Sequence, residues 1–102
     1  MKPARDPAYL TWVRGLPCLI CRRCPVEPHH ALTSAMSQKV SDYSVVPLCL
    51  FHHRLGPDAV HHIGRRPFAK RFGLDIPAII QGLNDQWQSQ TAHSVSSTNA
   101  QS

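Results

Sequence analysis

Residues 49–53 read CLFHH. A cysteine and a histidine three positions apart can turn two donor atoms toward one ion, which leaves the second histidine for another task. Upstream, residues 18–30 read CLICRRCPVEPHH, with a two-residue knuckle at Cys18 and Cys21 and another adjacent histidine pair, His29 and His30. A third pair stands at His61 and His62, so six of the seven histidines come as neighbours. The knuckles Cys18/Cys21 and Cys49/His52 together offer three thiolates and one imidazole, a set suited to tetrahedral Zn²⁺. The two knuckles are 27 residues apart. A zinc ion between them would close a long loop and contribute directly to folding. Cys24 offers a competing two-residue pairing with Cys21, and a disulfide scaffold is the other use to which four cysteines can be put.

The surrounding composition agrees with a metal staple. A chain of 102 residues has room for one modest core, and domains of this size commonly need added ties. The formal charge is +5, with five Asp and a single Glu. That balance favours a polyanionic partner, nucleic acid first and an anionic membrane second. The positive charge is concentrated at Arg54, Arg65, Arg66, Lys70 and Arg71. No apolar run is long enough for a signal peptide or a membrane span, so the expected setting is the reducing cytoplasm, where cysteines serve as ligands.

Local punctuation predicts an α+β arrangement. Asp6 as N-cap, Pro7 in the first turn, Gly15 as a left-handed stop and Pro17 beyond it bracket a short helix with Leu10 and Val13 on its apolar side. A tight turn through the cysteines leads into a strand ending near HHAL. TSAMSQKVSD reads as a polar loop, and YSVVPLC as the returning strand. LFHHRL predicts one or two helical turns halted by Gly56 and Pro57. RRPFAKRFG is basic and amphipathic, with Phe68 and Phe72 as core residues. A last helix, capped by Asp75, turns Ile76, Ile79, Ile80, Leu83 and Trp87 to one face. The expected division is a domain over 1–88 and a disordered tail over 89–102, which has little to bury.

The order C-x-x-C, E-x-H-H, polar loop, VPLC, C-x-x-H-H resembles the HNH, or ββα-metal, nuclease superfamily. Residues 8–77 are similar to a phage and prophage branch that includes the RecA-dependent nuclease. The resemblance implies a small zinc-stabilised ββα-metal domain with flanking N- and C-terminal helices, acting as an endonuclease on DNA, with RNA as the alternative substrate. It implies His30 as the general base, with His29, His53 and His61 as ligands of a catalytic Mg²⁺ or another divalent cation; His62 competes with His61 for the last place. Glu27 would orient the histidines, while Lys39 and Asp42 would play supporting roles. Ser44 stands where the family often has Asn, and Gly56 and Pro57 separate His53 from His61. Arg65, Arg66, Lys70 and Arg71 would follow the nucleic-acid backbone, and a recombinase or another phage protein would be a partner. The competing class of function is a zinc-stabilised DNA- or protein-binding module without catalysis.

Overall fold

The computed structural model describes residues 5–31 and 41–91, together with the helical backbone of residues 92–100. Most of the polar loop, Lys39 included, lies outside the described residues. The first helix, α1 (Pro7–Arg14), starts as its punctuation predicts, with the Asp6 carboxylate accepting from the Tyr9 N–H at 3.1 Å. Its end differs from expectation. Gly15 stays in the right-handed region, with φ −88°, and donates to the Trp12 carbonyl, so Pro17 rather than a left-handed glycine turns the chain away.

Strands β1 (Val26–His30) and β2 (Val45–Cys49) form one antiparallel hairpin. Val26 lies opposite Cys49, Pro28 opposite Pro47 and His30 opposite Val45. The Ala31 N–H donates to the Ser44 carbonyl at 2.9 Å, so the bonded pairs step from there to His29/Val46 and Glu27/Leu48. Both prolines thus fall at a non-bonded pair, where a missing N–H removes no ladder bond. Every residue of β2 is buried. Val46, Leu48 and Cys49 join one cluster with Cys18, Val60, Phe68 and Ile80, while Val45 joins a second with Tyr9 and Val13. Apolar groups on both faces explain why VVPLC lacks alternation.

A 3₁₀ turn (Asp42–Ser44) precedes β2, and a π-helical turn (Phe51–Leu55) follows it. Gly56 closes the π turn by donating to the Phe51 carbonyl at 2.7 Å. A Cβ at that position would meet this carbonyl oxygen at 2.9 Å, so the wide turn requires glycine. Next come the one-turn helix α2 (Val60–Ile63) and α3 (Arg65–Phe72). Gly73 ends α3 in the left-handed conformation, with φ 64°. Asp75 caps α4 (Ile76–Ala100) by accepting from the Ala78 N–H at 3.2 Å.

The α4 backbone is helical through Ala100. Burial is not needed to propagate a helix, and the segment after Gly82 contains no Gly or Pro to break it. Helices and a two-stranded sheet thus make a small α+β domain. Among the described residues, no helix is long and apolar enough to cross a membrane.

One buried group works against this packing. Tyr9 is fully buried among Trp12, Tyr43 and Trp87, and its hydroxyl has no hydrogen-bond partner among the described residues. Burial, with a smaller contribution from Tyr43, pushes the phenol up to about 12. Because the folded pKa lies above the unfolded one, the ionisation of this group leaves stability unchanged below about pH 10 and lowers it as pH rises through 10 toward 12. Tyr9→Phe is expected to raise stability by about 1 kcal/mol at neutral pH. In urea titrations it should also flatten the alkaline decline. A destabilised variant would show that the hydroxyl has a partner.

Candidate metal centres

Cys18 and Cys21 come from the turn before β1, Cys49 from the end of β2, and His52 from the π turn. Their four donor atoms lie within 4.8 Å of one another. Cys21 Sγ is 3.6 Å from Cys49 Sγ, and His52 Nδ1 is 3.4 Å from Cys49 Sγ and 3.9 Å from Cys18 Sγ. Around an ion with metal–sulfur bonds of about 2.3 Å, the edges of a tetrahedron are about 3.8 Å. These four residues can therefore hold a metal ion with little rearrangement. The Cys18 thiol is buried, which opposes its ionisation, but hydrogen bonds at the Cys21, Cys49 and Ile20 backbone outweigh this and lower its pKa. Burial, helped by Arg23, lowers the pKa of His52 and keeps the imidazole in the neutral form that binds metal. Cys24 stands apart: it is exposed, with its sulfur 3.8 Å from the Leu16 carbonyl oxygen. The Cys21/Cys24 pairing is not the one brought together.

A second cluster gathers His29 from β1, His53 from the π turn and His61 from α2, with one nitrogen from each within 4.8 Å of the others. His53 Nε2 and His61 Nε2 are 3.0 Å apart. His29 Nε2 is buried and has no hydrogen-bond partner among the described residues. Burial first, then the neighbouring His53 and His61, push the pKa of His29 down to about 4, so the ring is neutral at pH 7. An orphaned nitrogen facing two further imidazoles fits a cation, which would supply the missing partner. His61 rather than His62 belongs to this group.

Glu27 lies two residues before His29 on β1 and so shares its face. Its carboxylate faces His53 Nδ1 at 2.5 Å and Arg54 Nε and Nη2 at 3.2 and 3.0 Å. Arg54 first, then His53, hold its carboxyl down at about 2. A carboxylate at Nδ1 keeps the proton there and leaves Nε2 free as a donor, the usual arrangement behind a metal-bound histidine. The consecutive positions 52 and 53 thus serve different clusters, with His52 using Nδ1 and His53 free to use Nε2.

His30 points to the other side of β1, where its Nε2 is 3.7 Å from Asp42 Oδ1. The basic residues proposed for nucleic-acid contact sit on α3, but they are not equivalent. Arg71 lies 3.6 Å from Asp58 and over the Phe72 ring. Arg65 and Arg66 line an open groove of about 860 Å³ that begins at Ala31, directly after His30, and continues to Asp75 and Pro77. Sequence reasoning missed two contacts. Arg54, counted with the basic surface, is held by Glu27, and Asp6, read only as a cap, donates its backbone N–H to Asp42 at 2.8 Å. Nothing in the spacing of either residue signals these contacts.

A family model described as "Protein of unknown function (DUF968)" matches residues 2–88. Among curated proteins, the chain is similar to "Uncharacterized protein YdfU" of Escherichia coli (strain K12). The two are 30% identical over 80 residues, which make up 74% of this chain and 21% of that protein. The chain therefore spans about a fifth of the length of this curated relative. No solved structure matches.

Proposed function

Because the chain belongs to the DUF968 family, whose description assigns no activity, we propose a function from its own residues: a metal-dependent endonuclease of the HNH (ββα-metal) type that hydrolyses DNA phosphodiester bonds. The observation that carries this reading is the pair of neighbouring donor clusters, one rich in thiols and one made only of imidazoles, with His30 directly following His29 on β1 and 3.7 Å from Asp42. In this reading the hairpin, the π turn and α2 form the ββα-metal unit. Zn²⁺ occupies the Cys18, Cys21, Cys49, His52 cluster and has a structural role.

His29, His53 and His61 would hold the catalytic divalent ion, which supplies Lewis-acid stabilisation of the negative charge that builds up on phosphate during hydrolysis. Three nitrogen donors suit first-row transition ions such as Mn²⁺ or Zn²⁺ better than Mg²⁺, which prefers oxygen. His30 removes a proton from the attacking water. Glu27 fixes the tautomer of His53, and Arg54 keeps Glu27 in place. Arg65 and Arg66 guide the DNA backbone along the groove toward His30, and Lys70 and Arg71 extend the basic face. Such contacts add affinity without reading bases, so binding should weaken steeply with salt.

The test is nicking of supercoiled plasmid with Mn²⁺ or Mg²⁺. Wild type should cut, faster with Mn²⁺, and His30→Ala should lose about 10²–10⁴-fold in rate while keeping its melting temperature and zinc content. Equal cutting by both proteins would remove His30 from the mechanism. Salt-sensitive DNA binding without cutting would point instead to a non-catalytic binding module, and cutting of RNA alone would change the substrate.

A further inference from the structure

Resting on the nuclease reading, we infer that Asp42 is a positioning residue for His30 and that α1 is part of the catalytic apparatus because it holds Asp42. Asp42 offers two oxygens to two different elements. Oδ2 accepts from the Asp6 backbone N–H at 2.8 Å, at the start of α1, and Oδ1 lies 3.7 Å from His30 Nε2. The Asp42 side chain is mostly buried, at 14% exposure, while His30 is 44% exposed. The carboxylate is therefore the fixed member of the pair and the imidazole the movable one.

The anchor is itself held in place. Asp6 accepts from the Tyr9 N–H and from the Tyr43 hydroxyl, and Tyr43 follows Asp42 directly in the 3₁₀ turn. Tyr43 packs on Tyr9 with ring centroids 4.9 Å apart, and Trp12 and Trp87 complete the cluster. Helices α1 and α4 thus clamp the 3₁₀ turn that aims Asp42 at β1.

A separation of 3.7 Å is too long for a hydrogen bond. A small rotation of the exposed imidazole closes it, and contacts of this kind commonly tighten when substrate is bound. With Nε2–H directed at the carboxylate, Nδ1 is left as the lone pair that receives the proton from water. Neither Asp42 nor Asp6 touches DNA or the metal in this arrangement. They set the orientation of the base.

The experiment measures kcat and KM on a fluorophore–quencher DNA oligonucleotide with Mn²⁺ for wild type, His30→Ala, Asp42→Asn and the double variant. Melting temperature and zinc content are followed in parallel. Asp42→Asn should lower kcat about 10- to 100-fold, less than loss of the base itself, with KM and zinc content unchanged. In the His30→Ala background the same substitution should have no further effect, because a residue that acts only through another has nothing left to orient. Wild-type kcat in Asp42→Asn beside a His30→Ala slowed by about 10²–10⁴-fold overturns this inference alone. An equal loss in both backgrounds also overturns it, since Asp42 would then serve structure only. An inactive wild type overturns the nuclease reading and this inference together.

Discussion

With Zn²⁺ in the Cys18, Cys21, Cys49, His52 cluster as proposed, Cys49→Ser is expected to abolish the cooperative thermal transition and to reduce zinc at that cluster from one ion per chain to nearly none. Cys49 and Cys18 are not appended to the core but belong to it, packed with Val26, Leu48, Val60 and Phe68. The thiol cluster joins the segment before β1 to the turn after β2, and among the described residues no disulfide does this work. Structural zinc contributes about 10–16 kcal/mol in small zinc-finger peptides, whereas the net stability of a domain is about 5–15 kcal/mol. Losing one donor therefore removes an amount comparable to the whole. A strong chelator should have the same effect on wild type, and acid should too, because protonated thiols and imidazole do not bind metal. Cys24→Ser is the matched control. Its exposed sulfur lies outside the cluster, so zinc content and melting temperature should not change. Differential scanning calorimetry with zinc analysis checks both variants. A Cys49→Ser protein that still melts cooperatively within a few degrees of wild type would show that the hairpin and helices stand without the ion.

The parts of the molecule that could be read from the chain are those set by short-range rules. Asp6–Pro7 and Asp75–Pro77 mark helix starts because capping and proline geometry act within one turn. The two-residue knuckles predict the thiol cluster because both of their residues lie on one turn. Other features depend on where distant elements meet. Spacing could not choose between His61 and His62; the choice is made by α2, a single helical turn that directs His61 toward His53. The π turn is equally hidden, since LFHHRL reads as ordinary helix until Gly56 is seen closing the wider ring. Arg54 contributes to the positive composition wherever it points, yet its charge is directed at Glu27. That His52 and His53 would join different clusters could be read from the chain, but not the nitrogen that each one turns inward, because for His53 that depends on Glu27 across the hairpin.

On the nuclease proposal, in which His29, His53 and His61 hold a catalytic cation, His53→Ala is expected to lower DNA cleavage by about 10³-fold or more, since such a cation provides several kcal/mol and each 1.4 kcal/mol is tenfold in rate. His53 is the central member of its cluster, with Nε2 3.0 Å from His61 and Nδ1 held by Glu27. Removing it leaves His29 and His61 as two donors and also strips the cluster of its link to a carboxylate. The thiol-rich centre should keep its zinc, because His52 reaches that centre from the neighbouring position with an independent set of contacts. Glu27→Gln should give a smaller and different loss. The amide oxygen can still accept from Nδ1, but without the negative charge it holds the ring and its tautomer less firmly, and metal affinity should fall about 10–100-fold. Excess Mn²⁺ should therefore restore most of the activity of Glu27→Gln and little of that of His53→Ala. Titration of each zinc-loaded protein with Mn²⁺, followed by calorimetry and by cleavage, separates the two. Equal rescue of both variants would mean that His53 is not a ligand. Unchanged Mn²⁺ affinity in Glu27→Gln would mean that the carboxylate serves Arg54 and the hairpin rather than the cation.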